Sequence, residues 1–238
     1  MSRICTICAR GGSKGVPNKN IKSLAGKPLI SYSIDQAKQS KMFDYIAVSS
    51  DSKEILELSN DAGADFLIQR PEELASDTSA KLPVIRHCVL EVERQLNTTF
   101  DIVVDLDATS PLRLSIDIIN ALKLIEPDEV TNVITGMRSR RSPYFNLVEI
   151  NDEGYAVISK TLPGAIYRRQ DAPKCYDMNA SIYVWRRDIL LNERNNSVFN
   201  PTTVLYEMPE ERSVDIDSLL DWRIVEMLMA ERLRGPFQ

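Results

Sequence analysis

Residues 4–8, Ile-Cys-Thr-Ile-Cys, form an apolar run that stops at a loop rich in glycine and positive charge. The loop reads Ala9-Arg10-Gly11-Gly12-Ser13-Lys14-Gly15-Val16-Pro17-Asn18-Lys19-Asn20. A short apolar run closed by glycines is the pattern of a buried strand in a parallel sheet. Glycines let the backbone approach a bulky anion, and successive N–H groups in such a loop make an anion-binding nest. Arg10, Lys14 and Lys19 add mobile positive charge. Composition alone leaves an ordinary solvated loop as an equal account. The order strand, loop, helix tilts the balance toward a bound polyphosphate. The loop is neither a Walker loop, since no lysine follows a glycine at that spacing, nor a G-x-G-x-x-G dinucleotide fingerprint.

The chain has 238 residues, 43% of them hydrophobic, enough for one substantial core with an elaboration. Its net charge of -5 gives no global field for nucleic acid or an anionic membrane, so basic residues matter only where they cluster. No apolar run approaches the roughly 20 residues of a membrane span. Residues 4–8 are too short for a signal-peptide core. A cytoplasmic location is expected. Cys5 and Cys8 form C-x-x-C, but a spacing of three in a strand sends the sulfurs to opposite faces. They are expected to be small buried hydrophobes. His87, the single histidine, falls off the apolar stripe of its helix and is expected to be solvated. Chemistry must then come from carboxylates, lysines, arginines and a hard metal.

Strand and helix patterns alternate through the first half. Helices are expected over 28–40, 53–62, 82–96 and from 115 to near 127; strands are expected over 45–49, 66–68, 102–106 and 130–136. Repeated βα units imply an α/β fold, a mostly parallel sheet with helices on both faces and ligands at the carboxyl ends of its strands. Between residues 137 and 183 the pattern changes to short β-like stretches, 145–150 and 155–159, among arginines and aromatics. This reads as an inserted β-rich arm; a solvated basic loop is the plain account, and the aromatics Tyr144, Phe145, Tyr155, Tyr167 and Tyr176 argue for packing against a second subunit. Strand character returns at Val184, Trp185 and 204–206. Ser218, with Asp221 three residues on, resembles a capping box opening a final helix.

Two D-x-D pairs carry the remaining chemistry. Asp215 and Asp217 project to one side of an extended segment, at a spacing that suits Mg²⁺. Alone, helix capping accounts for them at least as well. Beside a polyphosphate loop the metal account gains, because the cation would neutralise the same phosphates. Asp105 and Asp107 repeat the spacing at a strand end, where Asp105 reads as no more than a surface cap.

These motifs, taken in order, resemble the N-acylneuraminate cytidylyltransferases, the CMP-nonulosonic acid synthetases. The resemblance rests on residues 9–15 with Lys19-Asn20, on Ser49-Ser50-Asp51, and on Arg70-Pro71 through Asp77-Thr78. It continues in Thr109-Ser110-Pro111-Leu112-Arg113, Asn179 and Asp215-Ile216-Asp217. Asp105-Leu106-Asp107-Ala108, 143–149 and 172–180 look most like the legionaminic acid branch.

The resemblance implies a single Rossmann-like nucleotidyltransferase domain over 1–238, with a dimerisation arm at about 137–183. It implies transfer of CMP from CTP to a nine-carbon sugar acid, with Mg²⁺ as cofactor. Arg10, Gly12, Ser13, Lys14 and Lys19 match triphosphate-loop positions; Asn20, Arg70 and Asp77 match nucleotide contacts; Asp215 and Asp217 match the metal ligands. The catalytic set would be Arg10, Lys19, Asp215 and Asp217, with Asp215 or a metal-bound hydroxide accepting the proton. The sugar would meet Asp107, Phe145, Arg168, Arg169, Lys174, Tyr176, Asp177 and Asn179. Sialic acid enzymes usually carry glutamine at the position of Asp107, lysine near Phe145 and arginine at Asp177. Those departures favour legionaminic acid. The alternatives are N-acetylneuraminate, another acidic sugar, or a nucleotide-sensing module without turnover. Neither nucleic acid nor membrane is expected as a partner, and a homodimer through the arm is.

Overall fold

The computed structural model describes residues 1–13, 15–76, 79–164, 167–194 and 196–234. The first half alternates β1 (Arg3–Cys8), the small hairpin β2 (Ser23–Leu24) and β3 (Lys27–Pro28), α1 (Leu29–Ser40), β4 (Tyr45–Ser50), α2 (Lys53–Asp61), β5 (Phe66–Gln69), α3 (Lys81–Leu96) and β6 (Ile102–Leu106). The second half adds α4 (Ser115–Lys123), β7 (Asn132–Arg138), the hairpin β8 (Val148–Ile150) and β9 (Ala156–Ile158), β10 (Tyr176–Arg186), α5 (Arg187–Leu191), β11 (Thr203–Glu207) and α6 (Leu219–Arg234). Seven strands make one sheet in the order β11-β7-β10-β6-β1-β4-β5. Only β10 runs against its neighbours, β6 and β7; the other pairings are parallel. The expected α/β architecture is present.

Alternation along β1 explains the two layers. Cys5 and Ile7 face a core built with Ile30, Ile34 and Ala37 of α1, Ile55 of α2 and Ile118 of α4. Ile4 faces the other core, with Ile85, Val89 and Val92 of α3 and Leu190 of α5, and Cys8 packs against it. The two cysteines therefore part to opposite faces, as a period of two requires, and burial pushes the Cys5 thiol well above its usual range. A third cluster joins Val16 of the glycine loop to Leu112, Ile216, Trp222 and Val225.

Local chemistry sets the ends of the elements. Ser52 Oγ accepts from the Ile55 N–H to cap α2, and Gly63 follows its end with φ +85°. Ser218 and Asp221 exchange the capping-box hydrogen bonds at the start of α6. Pro28 stands just before α1 rather than inside its first turn.

Three expectations change. Residues 176–183 belong to β10 in the main sheet, so the excursion beyond the sheet spans 139–175, narrower than 137–183. Asp105 is 1% exposed and accepts from Thr6 Oγ1 at 2.9 Å, a core residue and not a surface cap. His87 is half-buried, and its Nδ1 is shut away from solvent with no hydrogen-bond partner among the described residues. It lies beside the stripe, but α3 packs closely enough to cover it.

Candidate active site

A cavity of about 380 Å³ opens at the carboxyl ends of β1 and β6. The chain leaves β1 toward β4 on one side and later returns to β6 on the other, and that reversal is where open α/β sheets bind ligands. Arg10, Ser13, Lys19 and Asn20 line it from the first loop; Arg70 lines it from beyond β5, Asp107 from beyond β6, and Asp215 and Asp217 from the segment before α6. Eight of the expected site residues thus meet in one space.

The glycine loop and the 215–217 segment are fitted to one another. Ile216 is fully buried in the third apolar cluster beside Val16, so its neighbours Asp215 and Asp217 turn outward to the cavity. Lys19 Nζ donates to the Ile216 carbonyl at 2.5 Å and to Asp217 Oδ1 at 3.1 Å. A Cβ placed on Gly15 would lie 1.8 Å from the Asp217 carbonyl oxygen, so only glycine permits this approach. Asn20 Nδ2 donates to the Arg10 carbonyl at 3.0 Å, while its buried Oδ1 has no protein partner among the described residues. That oxygen is an acceptor available to a ligand.

Arg70 is 6% exposed, and its guanidinium is aimed by two hydrogen bonds to Ser49, one to the carbonyl at 2.8 Å and one to Oγ at 3.3 Å. Ser49 of the Ser49-Ser50-Asp51 run therefore orients Arg70, and Asp51 ties down the glycine loop: Gly11 N–H donates to Asp51 Oδ1 at 3.0 Å.

The carboxylates at the β6 end differ sharply in character. Burial alone would push Asp107 up, but the Lys81 ammonium and hydrogen bonds from Lys81 and Thr109 outweigh it and hold the carboxyl at about 2. Burial and the nearby Asp107 charge push Asp215 the other way, to about 6, against the opposing Thr109 and Lys19. Thr109 Oγ1 is within hydrogen-bonding reach of both Asp107 Oδ1, at 2.9 Å, and Asp215 Oδ1. Thr109 is thus shared between the two carboxylates and links the β6 end to the segment before α6. Lys81 sits 3.0 Å from Asp107 and 3.3 Å from Asp105, which together overcome the cost of its burial and raise its pKa above the ordinary lysine value.

Other expected residues lie elsewhere. Gly12 is in the loop but not on the cavity wall; Lys14 and Asp77 are outside the described residues. Phe145, Arg168, Arg169 and Lys174 belong to the excursion beyond the sheet, where Arg168 pairs with Asp171 and Arg169 donates to the Ser139 carbonyl. Tyr176 lies under the Arg138 guanidinium and Asp177 is exposed, both at the start of β10. Asn179 is buried, accepting from Thr135 Oγ1 at 2.7 Å and donating to Ser213 Oγ at 3.1 Å. It acts on the site indirectly, by anchoring the segment that leads to Asp215. Lys81, Thr109 and Ser79 are among the cavity residues that the expected site did not include.

Gly15→Ala tests the fit of the two loops. Overpacking of this kind costs typically 1–3 kcal/mol, so a melting-temperature drop of about 2–12 °C is expected, together with loss of CTP-induced stabilisation. Unchanged melting and unchanged stabilisation by CTP would contradict the close approach.

Comparison with known proteins now bears on this geometry. The cytidylyltransferase family pattern matches residues 4–218. Post-translational flagellin modification protein B of Campylobacter coli is 49% identical over 229 residues, covering 96% of this chain and 95% of that protein. The CMP-N,N'-diacetyllegionaminic acid synthase of Campylobacter jejuni is 47% identical over 233 residues, covering 98% and 97%. A solved structure of CMP:2-keto-3-deoxy-manno-octonic acid synthetase complexed with CTP shares the fold, with a TM-score of 0.69 at 18% identity, covering 98% of this chain and 100% of that one. A family pattern that runs from β1 to the start of α6, and relatives that match nearly end to end, show that the chain belongs to the cytidylyltransferases and is a nucleotidyltransferase.

Proposed function

We propose that this enzyme transfers CMP from CTP to a nine-carbon nonulosonic acid, legionaminic acid or a close relative, and releases pyrophosphate. The observation that carries this reading is the single cavity in which Arg10, Lys19 and Arg70 face Asp215 and Asp217. The 47% identity to a CMP-N,N'-diacetyllegionaminic acid synthase supports the choice of sugar. CTP is drawn from the cytoplasmic pool, so that compartment is the one the reading implies; among the described residues no helix is long and apolar enough to cross a membrane.

Attack of the anomeric hydroxyl on the α-phosphate is a problem of positioning and charge neutralisation. Arg10, Gly12, Ser13 and Lys14 belong to the loop assigned to the triphosphate, while Asn20, Arg70 and Asp77 are assigned to the nucleoside end. Lys19, 15% exposed and already beside an anion, is placed to hold the leaving pyrophosphate. Asp215 and Asp217 fit a hard cation: both present carboxylate oxygens to one cavity. Among the described residues no cluster of three or more ligating side chains forms. Mg²⁺ held by two carboxylates would therefore complete its shell with water and phosphate oxygens. When bound, it supplies charge neutralisation on the phosphates. Asp215, as a carboxylate, is assigned the proton of the attacking hydroxyl.

The arm is assigned to a second copy of this chain. A two-stranded hairpin buries little by itself, and Val148, Ile150 and Ile158 stand out from one face of it at 55%, 68% and 37% exposure. Pairing of two arms would cover those side chains and carry the arm's cationic Arg168, Arg169 and Lys174 toward the other subunit's cavity, where the sugar carboxylate needs a cation. Phe145, Tyr176 and Asp177 would then frame the sugar's remaining edge.

Pyrophosphate release from CTP with a panel of sugar acids tests the function. N,N'-diacetyllegionaminate is expected to exceed N-acetylneuraminate by at least about tenfold in kcat/KM; equal turnover moves the chain to the sialic acid branch, and no turnover with any sugar acid removes the nonulosonic acid reading. Excess chelator is expected to abolish the reaction. Asp217→Ala and Lys19→Ala are each expected to lower kcat by about 10²–10³ with the fold retained. Full rates in chelator would remove the metal. The arm is tested by Ile150→Asp with Ile158→Asp, which is expected to convert a dimer to a monomer in light scattering; a monomeric native protein refutes the arm's assignment.

A further inference from the structure

Lys81 breaks a local rule. It is the first residue of α3, where no acidic side chain stands in the first turn and Ala80 offers no side-chain cap. A cation there meets the positive end of the helix dipole, which is unfavourable. Its side chain is also only 29% exposed. Such a violation persists where other contacts outweigh it, and functional sites are where that happens. The offsetting contacts are Asp107 Oδ2 at 3.0 Å, Asp105 Oδ2 at 3.3 Å and the Tyr183 ring, whose centroid is 4.4 Å away.

A lysine on the wall of a nucleotide cavity invites assignment as a phosphate ligand. The charges argue otherwise. Two carboxylates already engage this one ammonium, so its charge is committed within the cavity wall. Asp105, buried beneath, draws the ammonium toward the sheet. The cations assigned to phosphate, Arg10 and Lys19, line the cavity from the β1 loop.

We propose that Lys81 is a positioning residue for the acceptor sugar: it fixes Asp107 as an immobile anionic acceptor on the cavity wall. This rests on the cytidylyltransferase reading above. Asp107 Oδ1 accepts from the Thr109 N–H at 3.2 Å and from its hydroxyl at 2.9 Å, and Oδ2 accepts from Lys81. A carboxylate held at both oxygens cannot rotate to follow a ligand. Its spare lone pairs select a group that donates a hydrogen bond, an amide N–H or a hydroxyl, and reject a second anion. Asp107 is one hydroxyl away from Asp215, so the selection falls beside the reacting end of the substrate and away from the Arg70 end.

The test is steady-state pyrophosphate release with Mg²⁺, CTP and N,N'-diacetyllegionaminate. Lys81→Met is expected to raise the KM for the sugar at least about tenfold while the KM for CTP moves less than about threefold. Lys81→Arg, whose guanidinium spans both carboxylates, is expected to restore most of the sugar affinity. Because Lys81→Met leaves Asp105 buried without a cation, the double variant Lys81→Met/Asp105→Asn is measured beside it, and is expected to melt closer to the native temperature and to keep the weakened sugar binding. A rise in the CTP KM as large as that for the sugar overturns the proposal in favour of a nucleotide contact. Recovery of native sugar KM in the double variant overturns it in favour of a purely structural ion pair. A native enzyme that binds CTP but turns over no sugar acid sinks the functional reading first, and this inference with it.

Discussion

The Lys19 ammonium joins two loops that are 198 residues apart in the chain, through the Ile216 carbonyl and the Asp217 carboxylate. Most of the cavity's form follows from that junction. The loop after β1 supplies cations and the segment before α6 supplies carboxylates, and neither is useful unless they face the same space. Apolar packing of Val16 against Ile216 brings the backbones together, and the missing side chain at Gly15 lets them close. Electrostatic attraction then fixes the register of a contact that the hydrophobic cluster makes possible but does not orient.

A second buried cation holds the frame behind it. Arg113 has no exposed surface; it donates to the Ser181 carbonyl at 2.6 Å, to Ser33 Oγ at 2.7 Å, to Gln36 Oε1 at 3.1 Å and to the Asp107 carbonyl at 3.3 Å. One guanidinium thus ties α1, the end of β6 and β10 into one block. Burial lowers its pKa to about 10, against the nearby Asp107 and Asp117 charges. It remains a cation at neutral pH, with its donors met by fixed acceptors. The Ser-Pro-Leu-Arg stretch is therefore a structural motif whose effect on the site runs through the backbone of Asp107.

How far the site was legible in the sequence depended on whether its residues were neighbours in the chain. The β1 loop and the Asp215-Ile216-Asp217 segment could be read because a strand period and a glycine cluster are local signals. Alternation around Ile216 put both carboxylates on one side, as found. Lys81 could not be read that way. It begins a helix far from either motif, and only the packing of α3 against β1, β4 and β5 brings its first residue to Asp105 and Asp107. The same packing covers His87, which periodicity alone had left in solvent. β10 was hidden for a different reason: its first half carries polar residues such as Asp177 and Asn179 that resemble the preceding arm, and its place in the sheet is set by pairing with β6 and β7 rather than by composition.

The position of β10 has a consequence for how the chain is made. β1, β4, β5 and β6 are all synthesised before β7, and they form a contiguous half of the sheet. On the other side of β6 the neighbour is β10, which leaves the ribosome only after β7, the arm hairpin and the loop beyond it. During that interval β6 and β7 both expose buried-type edges, and edges of this kind are templates for wrong pairing. A direct β6–α4–β7 parallel crossover is the ordinary βαβ solution and would consume both edges without β10. What favours the late insertion is specific to β10: the register shift between Met178 and Tyr183, the left-handed Ala180 at φ +52°, and the Asn179 hydrogen bonds to Thr135 and Ser213. Nascent-chain assembly therefore turns on a strand whose irregularities look, in the finished molecule, like details of the cavity's back wall.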